Sequence, residues 1–380
     1  MFKKRLFTPG PTPVPEMIML KMSEPIIHHR NPEFKEIFAE LNSNIKYLFQ
    51  TEQNVYTLTS SGTGAMEAAV ANIIEKGEKA IFVNGGKFGE RWGQLIKTFG
   101  GIPIEIKKEW GDPPAADEII ELIKQNPDVK AVFLTHSETS SGTVTDIKEI
   151  AKVVHEISDA LIVVDGITSV GALELRMDEW DIDIVLTGSQ KGLMIPPGLA
   201  FIAVSERAWQ KINSTENRVF YFSLKKAQKA LESGDTPWTP AITLVIGANE
   251  ALKLIKAEGL ENIWHRHQRL AEGIRIGVKA LGLKLMSKNP SNAITAVFIP
   301  EGIEFKKFND ALKYEFGITV AGGQEQYKGK LFRISHLGYY DDLDMVTIIS
   351  PLEFALKNAG YKFQPSSGVN AIQNYFLMNL

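Results

Sequence analysis

Hydrophobic positions along this chain of 380 residues follow two rhythms. Short apolar runs recur at Val55–Leu58, Ala80–Val83, Ile102–Ile106, Ala131–Leu134, Leu161–Val164, Ile182–Leu186 and Leu199–Val204. Several are continuous rather than alternating, the pattern of strands covered on both faces. Between most of them lie helical segments, among them Gly64–Lys76, Gly89–Phe99 and Asp146–Ile157. Ahead of them Phe34, Ile37, Phe38, Leu41, Ile45 and Leu48 mark one face of a helix, with Pro32 near its start where proline is tolerated. Strand and helix in alternation predict an α/β fold whose large domain is a mainly parallel sheet sandwiched by helices.

After about residue 240 the pattern changes. A long helical stretch is expected over Ala241–Leu281, interrupted near Gly259. Candidate strands Ala296–Ile299 and Leu331–Ser335 and helices Phe305–Phe316 and Asp342–Lys357 follow. These form a second, smaller α+β domain. The proline-rich start, Thr8-Pro-Gly-Pro-Thr-Pro-Val-Pro15, reads as an extended arm. The expected divisions are an arm over 1–30, a large domain over 31–255 and a small C-terminal domain over 256–380.

Composition narrows the classes. Hydrophobic residues make up 44% of the chain, enough for a large buried core. The net charge of −3 shows no basic excess, so no nucleic-acid partner is expected. There is no cysteine, which excludes disulfides, cysteine-ligated zinc and cysteine-dependent catalysis. No apolar segment follows the basic Lys3-Lys4-Arg5, and no run approaches the roughly 20 apolar residues that span a bilayer. A cytoplasmic protein without a membrane partner is expected.

Three strand ends carry candidate chemistry. Ser60-Ser-Gly-Thr-Gly64 lies between a strand and a helix, where small residues let N–H groups and hydroxyls approach an anion. An ordinary Ser/Thr-capped turn fits that loop equally well. No lysine follows the glycines, and Glu67 stands where a dinucleotide fingerprint needs its third glycine. Leu161-Ile-Val-Val-Asp165 puts a carboxylate at the end of a buried strand, where open α/β sheets place their ligands; read alone, a turn aspartate is the plainer account. Asp183-Ile-Val-Leu-Thr-Gly-Ser-Gln-Lys191 repeats the design with a lysine. A lone loop lysine is usually a solvated one, but this one follows a buried strand among small residues, a setting for a nucleophile toward carbonyls. Together the three supply what pyridoxal phosphate requires: an anion cradle, a carboxylate for the ring nitrogen and an amine for the imine.

At this point the chain resembles the class V aminotransferases of fold type I, in particular the alanine–glyoxylate and serine–pyruvate or serine–glyoxylate group. The resemblance runs from Pro9-Gly-Pro11 to the region of Arg333. It rests on Ser61-Gly-Thr-Gly-Ala-Met-Glu67, Asn84-Gly-Gly-Lys-Phe-Gly-Glu-Arg91, His136-Ser-Glu-Thr-Ser-Ser-Gly142 and Gly188-Ser-Gln-Lys191 with Pro196-Pro-Gly198 behind it. It implies that Lys191 carries pyridoxal 5'-phosphate as a Schiff base and then shuttles the substrate proton. It implies that Asp165 bonds the pyridinium, and that Ser61, Gly62, Thr63 and Gln190 hold the phosphate. Phe88 would stack on the ring, where relatives often have Trp, and Ser140 would lie near the ring oxygen or the substrate. Arg333 would clamp the substrate carboxylate, with Gly10 of the arm nearby. Thr239 or Thr236 would reach the phosphate of a neighbouring subunit, so a homodimer with shared sites is implied.

The expected reaction is transfer of the amino group of alanine or serine to glyoxylate or pyruvate. The alternatives are an aspartate or ureidoglycine donor, another lyase on the same scaffold, or a non-catalytic accessory protein. A cysteine desulfurase is excluded by the missing cysteine. His28-His29 and His265-Arg-His267 read as structural or surface residues rather than metal ligands, and Lys225–Lys229 as a solvated face.

Overall fold

The computed structural model describes residues 3–216 and 219–379. Its strands are β1 (Arg5–Phe7), β2 (Val55–Leu58), β3 (Lys79–Asn84), β4 (Ile102–Lys107), β5 (Ala131–Thr135), β6 (Ser137–Glu138), β7 (Thr143–Val144), β8 (Leu161–Asp165), β9 (Ile184–Gly188), β10 (Ala200–Val204), β11 (Ile294–Phe298), β12 (Ile318–Gly322) and β13 (Leu331–Ser335). Its helices are α1 (Glu16–Met22), α2 (Pro32–Phe49), α3 (Gly62–Ile73), α4 (Lys87–Thr98), α5 (Ala116–Gln125), α6 (Ile147–Ile157), α7 (Glu206–Ser214), α8 (Leu224–Leu231), α9 (Ile242–Glu258), α10 (Leu260–Ala280), α11 (Phe305–Asp310), α12 (Asp342–Asn358) and α13 (Ser367–Met378). The seven apolar runs of the first half all become strands of one sheet, ordered β2-β10-β9-β8-β5-β3-β4. β10 is antiparallel to both its neighbours, and the other pairs are parallel.

Successive residues of these strands feed opposite cores, as the pleat requires. Ile81, Val83, Val132, Leu134, Ile162 and Val164 pack with α2, α5, α6 and α9. Ala80, Phe82, Ala131, Phe133, Leu161 and Val163 pack with α3, α4, α7 and α8. Both faces are therefore buried, which is why the runs are continuous in sequence. Each fully buried Val, Leu, Ile or Phe side chain contributes roughly 1.5–3 kcal/mol.

The second half, with β1 from the arm, forms a four-stranded sheet, β1-β12-β13-β11, packed with α11, α12, α13 and the later part of α10. Helices α9 and α10 break at Gly259, where the sequence expects it. The arm corrects its expectation: residues 1–30 are not extended throughout. β1 pairs in parallel with β12, and Glu16–Met22 is a helix packed on α9 through Ile18. The expected helix over Phe305–Phe316 ends at Asp310 and continues as a π turn over Ala311–Glu315. Lys226 is half-buried, its Nζ 3.5 Å from the Phe220 ring centre, rather than one of a solvated row. His267 is a core residue that accepts from Gly338 N–H (3.0 Å), and His28 and His29 stack on each other at 4.6 Å.

Candidate active site

The site is built at the carboxyl ends of the parallel strands. β2 delivers Ser61–Thr63, β3 delivers Phe88, β5 leads to Ser140, β8 ends in Asp165, and β9 leads to Gln190 and Lys191. β13 of the small sheet contributes Arg333, and the arm contributes Gly10.

Lys191 is buried, and burial is the main reason its pKa is lowered, to about 8. Arg333 adds to this, while Asp165 and Glu138 oppose it. The arm lies directly against the side chain: a Cβ at Gly10 would come within 2.7 Å of Lys191 Cε and 2.9 Å of Nζ. Thr12 fastens the arm there, its hydroxyl donating to the Lys191 carbonyl (3.1 Å) and its N–H to the Gln190 carbonyl (3.3 Å). Asp165 is also buried, which pushes its pKa up to about 7. The N–H of Ile167 donates to Oδ1 (2.8 Å) and, with Arg91 and Lys191, pulls the other way.

Ser61 is the N-cap residue of α3, and Gly62 and Thr63 open that helix, whose N–H groups and dipole favour an anion. The Gln190 amide oxygen and Gly62 N lie 3.0 and 3.4 Å from the point a Cβ on Gly188 would occupy, so the two loops meet. Arg91, one turn after Phe88, donates to the Thr63 hydroxyl (3.0 Å) and lies 5.1 Å over the Phe88 ring.

Arg333 is buried, and burial lowers its pKa to about 10. Its Nε and Nη2 donate to the Gly322 carbonyl (3.1 and 2.8 Å) and its Nη1 to the Thr139 carbonyl (2.9 Å). A guanidinium has five N–H groups, so one on each terminal nitrogen is left over for a further acceptor.

The structure thus brings together Gly10, Ser61, Gly62, Thr63, Phe88, Ser140, Asp165, Gln190, Lys191 and Arg333. Thr236 and Thr239 stand apart. The Thr236 hydroxyl donates to the Trp238 carbonyl (2.7 Å), and Thr239 is exposed on the same loop. Two residues escaped the sequence reading. Ile167 carries the N–H that holds Asp165 and presses its side chain on Gly62. Glu138 accepts from the first turn of α4. The only signal for Glu138 was a carboxylate among the small polar residues after β5.

A pyridoxal phosphate fits these residues. The Gln190 amide oxygen and the Thr135 hydroxyl are buried without a partner among the described residues, and Thr135 sits opposite Asp165 in the β5–β8 register. A buried amine of lowered pKa can stay neutral for bonding to a carbonyl, and a cationic ring beside the buried carboxyl of Asp165 would favour its ionised form. Fold and site together define a pyridoxal-phosphate-dependent aminotransferase of fold type I. The chain belongs to the class V aminotransferase family, whose model, "Aminotransferase class-V", matches residues 6–346. It is 43% identical to the soluble hydrogenase small subunit of a Synechococcus species over 375 residues, 97% of each chain. It is 36% identical to the serine–glyoxylate aminotransferase of Hyphomicrobium methylovorum, covering 98% of this chain and 95% of that one. Among solved structures, the ureidoglycine–glyoxylate aminotransferase of Bacillus subtilis superposes with a TM-score of 0.93 at 28% identity, covering 99% of both chains.

Proposed function

We propose that this enzyme moves the amino group of alanine or serine to glyoxylate, or secondarily to pyruvate, using Lys191 as the cofactor's attachment point and proton carrier. When bound, pyridoxal phosphate supplies the electron sink for bond breaking at the substrate α-carbon. Ser61, Gly62, Thr63 and Gln190 would hold its phosphate, Phe88 its ring face and Asp165 its ring nitrogen, with Ser140 close to the ring oxygen or the substrate. A lysine whose pKa has fallen to about 8 holds a useful share of neutral amine near pH 7, able to accept a proton at Nζ and return it. Gly10 covers that amine against water, and Thr12 fastens the arm there through the Lys191 carbonyl.

The observation that carries the substrate reading is Arg333, fixed by three bonds to carbonyl oxygens with one N–H left on each terminal nitrogen. That is one anchor for one carboxylate. Arg91 is turned to Thr63 and Phe88, and Arg30 is exposed. A dicarboxylic donor would bury its second carboxylate without a partner, at a cost of several kcal/mol. The serine–glyoxylate relative supports the same choice, and a ureidoglycine donor, as named for the B. subtilis enzyme, also carries a single carboxylate. A panel of donors, followed through the cofactor's visible band, should rank alanine and serine about a hundredfold above glutamate and aspartate in kcat/KM. Aspartate or glutamate ahead of them would overturn the substrate assignment.

The division into arm, large domain and small domain at residues 30 and 255 belongs to the same reading, as does a cytoplasmic setting. Among the described residues no helix is long and apolar enough to cross a membrane. A homodimer is part of it too. α1 turns Met17, Met19 and Leu20 outward, and the connection between α7 and α8 exposes Phe220, stacked on Trp238 of the loop that carries Thr239. A second copy covering these faces would bring Thr239 or Thr236 to its neighbour's phosphate. Sedimentation should therefore show a dimer whose cofactor affinity falls on dilution into the dissociation range; a fully active monomer would refute it.

A further inference from the structure

The turn over residues 136–142 holds four parts of the site at once. His136 N–H donates to the Asp165 carbonyl (3.1 Å), and the hydroxyls of Thr139 and Thr168 share a hydrogen bond of 2.6 Å. The Thr139 carbonyl accepts from Arg333 (2.9 Å), and Ser140 Oγ accepts from Lys87 N–H (3.0 Å). At its centre Glu138 is only 5% exposed. Its Oε2 accepts from the N–H groups of Phe88 (3.1 Å) and Gly89 (2.9 Å), the first turn of α4. Its Oε1 accepts from Ser140 N–H (3.0 Å) and from Ser140 Oγ (2.5 Å). All four partners are donors, so the carboxyl group acts purely as an acceptor, as an ionised carboxylate does. Among the described residues no lysine or arginine forms an ion pair with it.

Backbone around it is shaped to admit it. A Cβ at Gly86 would come within 2.3 Å of Ser140 Oγ and 2.4 Å of Glu138 Cδ, although the φ of 170° at Gly86 is open to any residue. Residue 86 is bare because Glu138 occupies the space.

We propose that Glu138 is a positioning residue: its carboxylate fixes the first turn of α4, and with it Phe88, while holding a negative charge beside Lys191 and Arg333. This rests on the reading that Lys191 carries the cofactor. The charged groups bearing on Lys191 come from three strands: Arg333 from β13, Asp165 from β8 and Glu138 from β6. Arg333 favours the neutral amine, and the two carboxylates favour the protonated one. Loss of the Glu138 charge therefore leaves Arg333 less opposed, and the Lys191 nitrogen gives up its proton at lower pH.

Glu138→Gln keeps the shape and removes the charge. The pH midpoint of the visible band should fall by about one unit. In the cofactor-free chain, amide exchange at Phe88 and Gly89 should quicken by roughly tenfold or more as the helix start loosens. Gly86→Ala displaces the carboxylate without discharging it. It should speed the same two amides and weaken cofactor binding, with a smaller change of midpoint than Glu138→Gln. Glu138→Asp keeps the charge and should stay near the wild-type midpoint, which decides the matter if the Gln variant does not fold. A folded Gln variant with an unmoved or raised midpoint, or with wild-type exchange at Phe88 and Gly89, overturns the proposal. A wild-type protein without the band overturns the cofactor reading as well, so the two failures are told apart.

Discussion

Replacement of Lys191 by alanine is expected to leave a folded protein whose turnover is lower by about 10⁴-fold or more. The size of the loss follows from the two jobs proposed for this one residue, holding the cofactor and carrying the proton. The fold should survive because the contacts that fasten the arm are to backbone. Thr12 bonds the carbonyl groups of Gln190 and Lys191, which an alanine retains. What disappears is the side chain that fills the space in front of Gly10. Borohydride reduction of the wild-type enzyme should fix the cofactor on the peptide containing Lys191, and rapid-mixing kinetics should show the loss in the proton-transfer step. Cofactor fixed on any other lysine would refute the assignment.

Asp165→Asn should move activity and stability in opposite directions. The asparagine keeps the shape and can still accept from the N–H of Ile167. It cannot supply the charge that holds a ring nitrogen protonated, so the proton-transfer step should fall by about two orders of magnitude or more. Stability follows from the sign of the shift. Burial raises the carboxyl from an ordinary value to about 7 in the folded chain, so the folded state holds its proton where the unfolded chain has released it. Stability is therefore lost as pH rises from about 4 to about 7, by roughly 3–5 kcal/mol in the cofactor-free protein. An asparagine does not ionise, so cofactor-free Asp165→Asn should resist urea better than wild type at pH 8 and lose that advantage near pH 4. A variant with wild-type turnover would show that Asp165 is structural. A variant less stable than wild type at pH 8 would show that the charge is compensated in the folded chain.

The large sheet was legible because burial on both faces leaves unbroken apolar runs, and each run ended where its strand ends to within two residues. Helix starts were less so. α3 begins at Gly62 and α4 at Lys87, each two residues ahead of expectation, because Gly62, Thr63, Lys87 and the half-buried Phe88 do not continue the apolar face that packs each helix on the core. β12 and β1 had no such signal. β12 is only partly buried, and β1 is three residues long and makes sense only beside it. Among site residues, Asp165 and Lys191 stood out because each follows an apolar strand. Glu138 and Ile167 did not, since what defines them is contact with Phe88 and Gly62, far away in sequence.

The pairing of β1 with β12 also sets an order of events during synthesis. Arg5 and Phe7 leave the ribosome well before their partners Ile318 and Val320, which lie more than three hundred positions later. Loop closure over that span is slow compared with local helix formation, and pairings between distant segments are the late steps of folding. The seven strands of the large sheet are all made by residue 204, so Lys191 and Asp165 can be in place while the last third of the chain is still being added. Arg333 and the β12 strand that anchors the arm arrive only in that last third. Until then Lys191 is present without the small sheet that helps to hold Gly10 against it.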